Sequence, residues 1–378
     1  MKEIDLQKIT AYLDSLVEGG VPSADCIVMQ DHKQVYRHTV GTADAARMQL
    51  VSQDQLYLMF SMTKVQTMTA LMTLVEQGRV SLSDPVGKYL PAYNDLMVET
   101  PDGPVPAKTQ LQMWHLVSMQ SGLDYDLARP GIVRVLKERG PQATTREIVD
   151  AFTESPLKFE PGSHFLYSLS HDVVAAVIEV VSGMSFGEYL KKTIWEPVGM
   201  TNTFFAKPDN ASLPRLAQQW ICNERGEIVP MEQTCNYQLS EAYESGGAGL
   251  ISCAEDYARL GDMLACGGIA ANGNRILQPA SVEQIKQNLL GEASRRDIAM
   301  TMGRVGYGYG IGMQVLMEPA KIGSTSPVGV FGWDGAAGSC VTMDTASRTA
   351  LVYVEHVRNH GYSYGNIHPT LRDIVFGE

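Results

Sequence analysis

Long apolar runs are missing from this sequence. No stretch reaches the roughly 20 residues that a membrane span needs, so no membrane segment is expected. Basic clusters are missing as well. Lys and Arg number 30 against 42 Asp and Glu, the net charge is -12, and no basic stripe is present. Nucleic acid is therefore excluded as an expected partner. Cysteine is sparse. The six residues, Cys26, Cys222, Cys235, Cys253, Cys266 and Cys340, include no C-x-x-C pair. In a chain of this length such thiols are expected to be reduced and mostly buried, as in a cytoplasmic protein, although sequence alone leaves a disulfide open. Neither H-E-x-x-H nor G-x-x-x-x-G-K-[ST] occurs, and neither a metal nor a cofactor is expected. Charges interrupt the first twenty residues, which therefore do not read as a signal peptide. They read as an amphipathic helix carrying Ile4, Leu6, Ile9, Leu13 and Leu16, stopped by Gly19-Gly20.

What is present is a globular composition, 44% hydrophobic and 19% charged, with length for a large core. Residues 24–30 and 33–41 read as two strands around a tight turn at Asp31-His32. Residues 60–77 place Met62, Val65, Met68, Leu71, Met72 and Val75 at helical spacing, with Gly78 as the stop. Further helices fit 144–153, 171–181, 185–193, 254–265 and 367–376. Strands fit 305–316, 328–333, 339–344 and 349–356, with a hairpin turn between Asp344 and Arg348. Strands at both ends with helices between them imply an α+β fold. One mainly antiparallel sheet is drawn from both termini, and a helical region is inserted. The expected division is 1–78 plus 241–378 as the sheet unit and 79–240 as the insert, with the site between them.

Ser61-Met62-Thr63-Lys64 opens the apolar helix as S-x-x-K. Residues three apart share a helix face. A serine at a helix N-terminus sits among unpaired N–H groups at the positive end of the dipole, which favours an alkoxide and an oxyanion. A lysine on an apolar face is desolvated, its pKa falls, and it becomes able to accept a proton. The same four residues also fit a helix-capping serine beside a lysine that reaches water.

Wider stretches decide between these readings. FSMTKVQTMTALMTLVEQGRVSLSDPVGKYLPAY (60–93), HLVSMQSGLDY (115–125), GGAGLISCAEDYARLGDML (246–264) and VGYGYGIGM (305–313) resemble segments of the serine β-lactamase and penicillin-binding-protein superfamily. The likeness is strongest to its class C-like branch, which includes family VIII carboxylesterases. It implies a β-lactamase/transpeptidase-like fold with Ser61 as nucleophile and Lys64 as its partner. FLYSLSHDVVAAVIE (165–179) supplies Tyr167 as the family's tyrosine. A phenol beside a cationic Lys is expected to ionise more easily and to take the Ser61 proton. Leu169 stands where the family carries an Asn that contacts substrate amides. FGWDGAAGS (331–339) aligns Trp333, Asp334 and Gly335 with the third family element, and the Ala336 N–H with the second oxyanion donor.

Trp333 in place of a cation, and the negative Asp334, together disfavour anionic substrates. The resemblance thus implies a serine hydrolase working through an acyl-enzyme on a small ester or amide, a carboxylesterase first. A β-lactamase, a D-aminopeptidase-like amide hydrolase or an acyltransferase comes second, and a non-catalytic penicillin-binding-like protein is the alternative of another class. Two patterns point elsewhere. Gly361-Tyr362-Ser363-Tyr364-Gly365 matches G-x-S-x-G, but only 13 residues follow it. His356 and His360 have metal-like spacing but follow a strand, and they read as scattered histidines.

Overall fold

The computed structural model describes residues 4–206 and 214–377. Helix α1 (Leu6–Glu18) begins at Asp5, whose side chain accepts from the Lys8 N–H at 3.0 Å. Its buried side is Ile9, Leu13 and Leu16. Strands β1 (Ser23–Gln30) and β2 (Lys33–Gly41) form the expected hairpin. Asp31 and His32 both take positive φ, 50° and 67°, as a two-residue turn matched to the strand twist requires. The other sheet strands come from the chain's end: β3 (Tyr307–Tyr309), β4 (Gln314–Leu316), β5 (Phe331–Asp334), β6 (Cys340–Asp344) and β7 (Thr349–Val354). The seven strands run in the order β3-β4-β5-β6-β7-β1-β2, every neighbour antiparallel. β1 pairs directly with β7, Ile27 opposite Val352, so the two termini share one sheet.

Strand alternation divides the core into two layers. Cys26, Val28, Leu351 and Tyr353 face α1 and the last helix, α5 (His368–Phe376), with Leu371, Ile374 and Val375. Ile27, Met29, Val341, Met343 and Val352 face the larger core. That core holds α2 (Thr63–Glu76), α3 (Ser170–Ser182) and α4 (Ala254–Ala265). α2 is buried nearly all round, including Lys64, Gln66, Thr67 and Thr69, because it runs through the centre rather than along a surface. α3 ends at Gly183, whose φ of 76° suits the left-handed stop.

Three expectations need correction. Residues 305–316 are two strands, β3 and β4, rather than one. A side chain on Gly310 would lie 2.1 Å from the Ile285 carbonyl, and Gly312 turns with φ 73°, so the glycines that read as strand residues make a hairpin corner. The strand expected at 328–333 begins only at Phe331. The helix expected over 185–193 is α-helical at Phe186–Leu190 and widens to a π-helix at Lys191–Trp195. Helices at Pro130–Arg139, Pro279–Ile285 and Glu292–Met302 were not anticipated. All six cysteines are free. Among the described residues no single helix is long and apolar enough to cross a membrane.

Candidate active site

Ser61 stands in a tight turn, Phe60–Met62, that runs directly into α2. Phe60, the residue before it, has φ 45°, a left-handed backbone that costs an aromatic residue about 1–3 kcal/mol. Packing holds it there: the Phe60 ring is buried with Leu56, Leu58, Ile251 and Ala337, edge-on to Tyr237. This strained turn leaves Ser61 partly exposed while Met62, Thr63 and Lys64 are buried.

Lys64 Nζ donates to Ser61 Oγ at 3.2 Å and to the Gly247 carbonyl at 2.7 Å. The amine also lies 4.6 Å from the Tyr167 ring centre and 5.5 Å from that of Tyr125. Complete burial pulls its pKa from 10.5 to about 7, partly offset by the negative charges of Asp172 and Asp334. A neutral amine beside a serine hydroxyl is thus accessible near neutral pH.

Tyr167 precedes α3 and closes the other side. Its hydroxyl, and that of Tyr125, turn toward Ser61. Trp333 Nε1 donates to the Tyr167 hydroxyl at 3.2 Å. The rings of Tyr125, Tyr167 and Trp333 form one stacked slab, with centres 5.7 and 5.6 Å apart. Burial pushes the Tyr167 phenol well above its ordinary value, and the nearby Ser61 hydroxyl and the Trp333 N–H offset only part of that. Burial therefore works against the expected easy ionisation of Tyr167.

The turn after β5 faces Ser61 from the sheet. A methyl group on Gly335 would stand 2.4 Å from the Met59 carbonyl, so only glycine permits this approach. The turn is shaped by Gly335 N–H to Ser339 O at 2.8 Å and Gly338 N–H to Gly335 O at 3.0 Å. From α5 and the turn before it, the Tyr364 hydroxyl donates to the Gly335 carbonyl at 2.8 Å and His368 Nε2 meets the Gly338 carbonyl at 2.7 Å. Ala336 packs beside the Phe60 cluster, next to Ser61 in the chain.

Two expected site residues carry less than the sequence suggested. Leu169 is buried in the core at the start of α3, with its N–H bonded to Asp124 O. Asp334 does not present a free negative charge: it is ion-paired with Arg304, whose guanidinium lies 5.6 Å from the Trp333 ring centre. Tyr125, in sequence only one residue of the 115–125 loop motif, joins the slab in the fold. No periodicity connects it to Ser61, 64 positions away.

The remaining candidates lie elsewhere. Ser363 of the G-x-S-x-G match is wholly buried in a π-helix, bonded to Glu355 and to His360 Nδ1 at 2.8 Å. His360 uses that same nitrogen toward Glu355, so no linear Ser–His–acid relay exists. His356 accepts from Leu58 N–H at 3.3 Å and faces Ala217 O, and burial lowers its pKa to about 4. The metal-like grouping His32, Asp262 and Cys266 lies at the β1–β2 hairpin tip. There His32 is bonded to Asp262 at 2.8 Å, with Arg348 at its other nitrogen. A cavity of about 240 Å³ between β5 and α5 is lined by Arg304, Phe331, Tyr364, His368 and Arg372, and not by Ser61.

Residues 7–364 match the family model described as Beta-lactamase. The chain belongs to the β-lactamase family. Esterase EstB from Burkholderia gladioli is 28% identical over 99% of this chain and 96% of its own. A putative D-alanyl-D-alanine carboxypeptidase from Escherichia coli strain K12 is 23% identical over 93% of this chain and 82% of its own. Among solved structures, EstCE1, a hydrolase with promiscuous acyltransferase activity, superposes with a TM-score of 0.81. It shares 23% identity and covers 98% of both chains. The α+β fold with a sheet from both chain ends is that of this family.

Proposed function

We propose that this hydrolase is a carboxylesterase in which Ser61 attacks the ester carbonyl and carries the acyl group. The observation that carries the reading is the buried Lys64 amine 3.2 Å from Ser61 Oγ, with a pKa lowered to about 7. Neutral Lys64 takes the Ser61 proton as the oxygen–carbon bond forms. The tetrahedral oxyanion faces the N-terminus of α2 and the Ala336 N–H. Collapse breaks the bond to the leaving oxygen, which receives its proton from the Tyr167 phenol, and Lys64 returns a proton to Tyr167. Water then attacks the acyl-enzyme with the same groups reversed, and the acid is released.

Neutral esters fit best for three reasons. The wall beside Ser61 is the Tyr125–Tyr167–Trp333 slab rather than a cation. Arg304 is committed to Asp334. Leu169, buried and apolar, offers no hydrogen bond to a substrate amide. The EstB likeness supports the ester reading, and the likeness to EstCE1, a hydrolase with promiscuous acyltransferase activity, supports acyl transfer as a side reaction. A purely ligand-binding protein has no use for a fully buried amine of this cost. The six unpaired thiols support a reducing compartment.

Hydrolysis of neutral p-nitrophenyl esters compared with nitrocefin tests the assignment. Ester turnover with little nitrocefin cleavage is expected. Fast nitrocefin turnover without esterase activity contradicts it.

A further inference from the structure

A carboxylate without a role in the proposed chemistry lies behind Lys64. Asp172 occupies the first turn of α3, five residues after Tyr167, and is completely buried. Its two oxygens differ sharply. Oδ1 accepts from the Tyr243 hydroxyl at 2.7 Å, the Ser245 hydroxyl at 2.6 Å and the Gly247 N–H at 3.4 Å. Oδ2 is buried and has no hydrogen-bond partner among the described residues. A buried carboxylate oxygen left in this state is destabilising unless a charge or donor faces it.

The feature that faces it is the bare α-carbon of Gly247. A methyl group there would stand 2.7 Å from Asp172 Oδ2, 3.4 Å from Lys64 Nζ and 3.4 Å from the Tyr125 hydroxyl. Carboxylate and amine therefore lie within roughly 6 Å, where charges in a dry pocket still interact strongly. One loop holds both. Ser245 Oγ accepts from the N–H groups of Gly247 at 3.2 Å and Ala248 at 3.0 Å, while the Gly247 carbonyl accepts a hydrogen bond from Lys64 Nζ at 2.7 Å.

The other ionisable groups around the pair leave Asp172 as the unbalanced charge. Burial keeps the phenols of Tyr93, Tyr125, Tyr167 and Tyr243 protonated. His171, next to Asp172, is held neutral by burial and by Lys64. Asp334 is paired with Arg304. Glu244, on the Tyr243–Ser245 loop, accepts from the Gly187 N–H at 2.7 Å.

We propose that Asp172 is a positioning residue for Lys64: its unshared Oδ2 orients the amine toward Ser61 and fixes how tightly that amine holds its proton. The inference rests on the Ser61–Lys64 reading above. Lys64 works as a base only when neutral, so the acid limb of the kcat/KM profile reports its proton, and Asp172 moves that limb upward by favouring the ammonium form.

The test is Asp172→Asn, which keeps the shape and the acceptor for Tyr243 and Ser245. The acid limb of p-nitrophenyl ester hydrolysis should move to lower pH by about one unit. A limb unchanged from wild type, with only thermal stability lowered, overturns the proposal. If Asp172→Asn does not fold, Tyr243→Phe is used instead. It leaves the carboxylate with one donor fewer and its charge more available to Lys64, and the limb should rise; a limb that stays or falls overturns the proposal. Ser61→Ala, assayed alongside, separates the two levels. Activity surviving that change refutes the nucleophile itself, whereas activity lost there with an unmoved limb in Asp172→Asn refutes only the role of Asp172.

Discussion

Lys64→Met should give a protein that is more stable and inactive. Methionine is unbranched and close in length, so it fills the channel that Lys64 occupies in α2. Burial of the amine lowers its pKa from 10.5 to about 7, which corresponds to roughly 5 kcal/mol held against folding when the group is protonated. Removing it relieves that cost. The Gly247 carbonyl loses its donor, at about 1–2 kcal/mol. The net gain at pH 6 is therefore about 3 kcal/mol. The pH dependence is sharper than the magnitude. Between pH 7 and 10.5 the unfolded chain binds one more proton at this lysine than the folded chain does. Wild-type stability consequently rises with pH in that window, by about 1.4 kcal/mol per unit from this group. The Met variant lacks that rise. Its advantage should be constant below pH 7 and shrink by about 3 kcal/mol between pH 7 and 9. Urea unfolding of both proteins at pH 6, 7, 8 and 9 measures the difference. A variant less stable at pH 6, or an advantage that does not change from pH 7 to 9, refutes the claim that the fold holds this amine in its neutral form.

Other outcomes follow from the same geometry. Tyr167→Phe should lower kcat by about 10²–10⁴-fold, because it removes the proton donor and keeps the stacked ring, while a melting assay shows only the modest loss, about 1–3 kcal/mol, of the acceptor for the Trp333 N–H. Gly335→Ala should cost at least tenfold in kcat/KM, since the added methyl meets the Met59 carbonyl at 2.4 Å and pushes the turn away from Ser61; wild-type kinetics would show that the turn does not form the site. Tyr364→Phe frees the Gly335 carbonyl and should lower kcat more than it raises KM, measured with one p-nitrophenyl ester.

Much of the fold could be read because its signals are local. α1, the β1–β2 hairpin, α2 and α4 follow from apolar spacing and from the residues that stop each element. The Ser61–Lys64 pair could be read for the same reason: three residues along a helix fix their own proximity. Contacts between distant segments could not be read. Tyr125 joins Tyr167 and Trp333 only in the folded chain, and its loop carries no pattern that predicts a stack. Asp334 read as an uncompensated negative charge because its partner Arg304, 30 residues earlier, follows a helix that was not anticipated. Gly310 and Gly312 fitted a strand because alternation hides whether a glycine is packed or turned. The lowered proton affinity of Lys64 depends on its complete burial, which sequence does not report.

The role of Ser61 is tested most directly by mass spectrometry of the protein quenched in acid during turnover of a p-nitrophenyl ester. The expected result is one acyl group added, located to the peptide containing Ser61, decaying as substrate is consumed and absent from Ser61→Ala. Acylation of another residue, or full turnover by the Ser61→Ala protein, would contradict it.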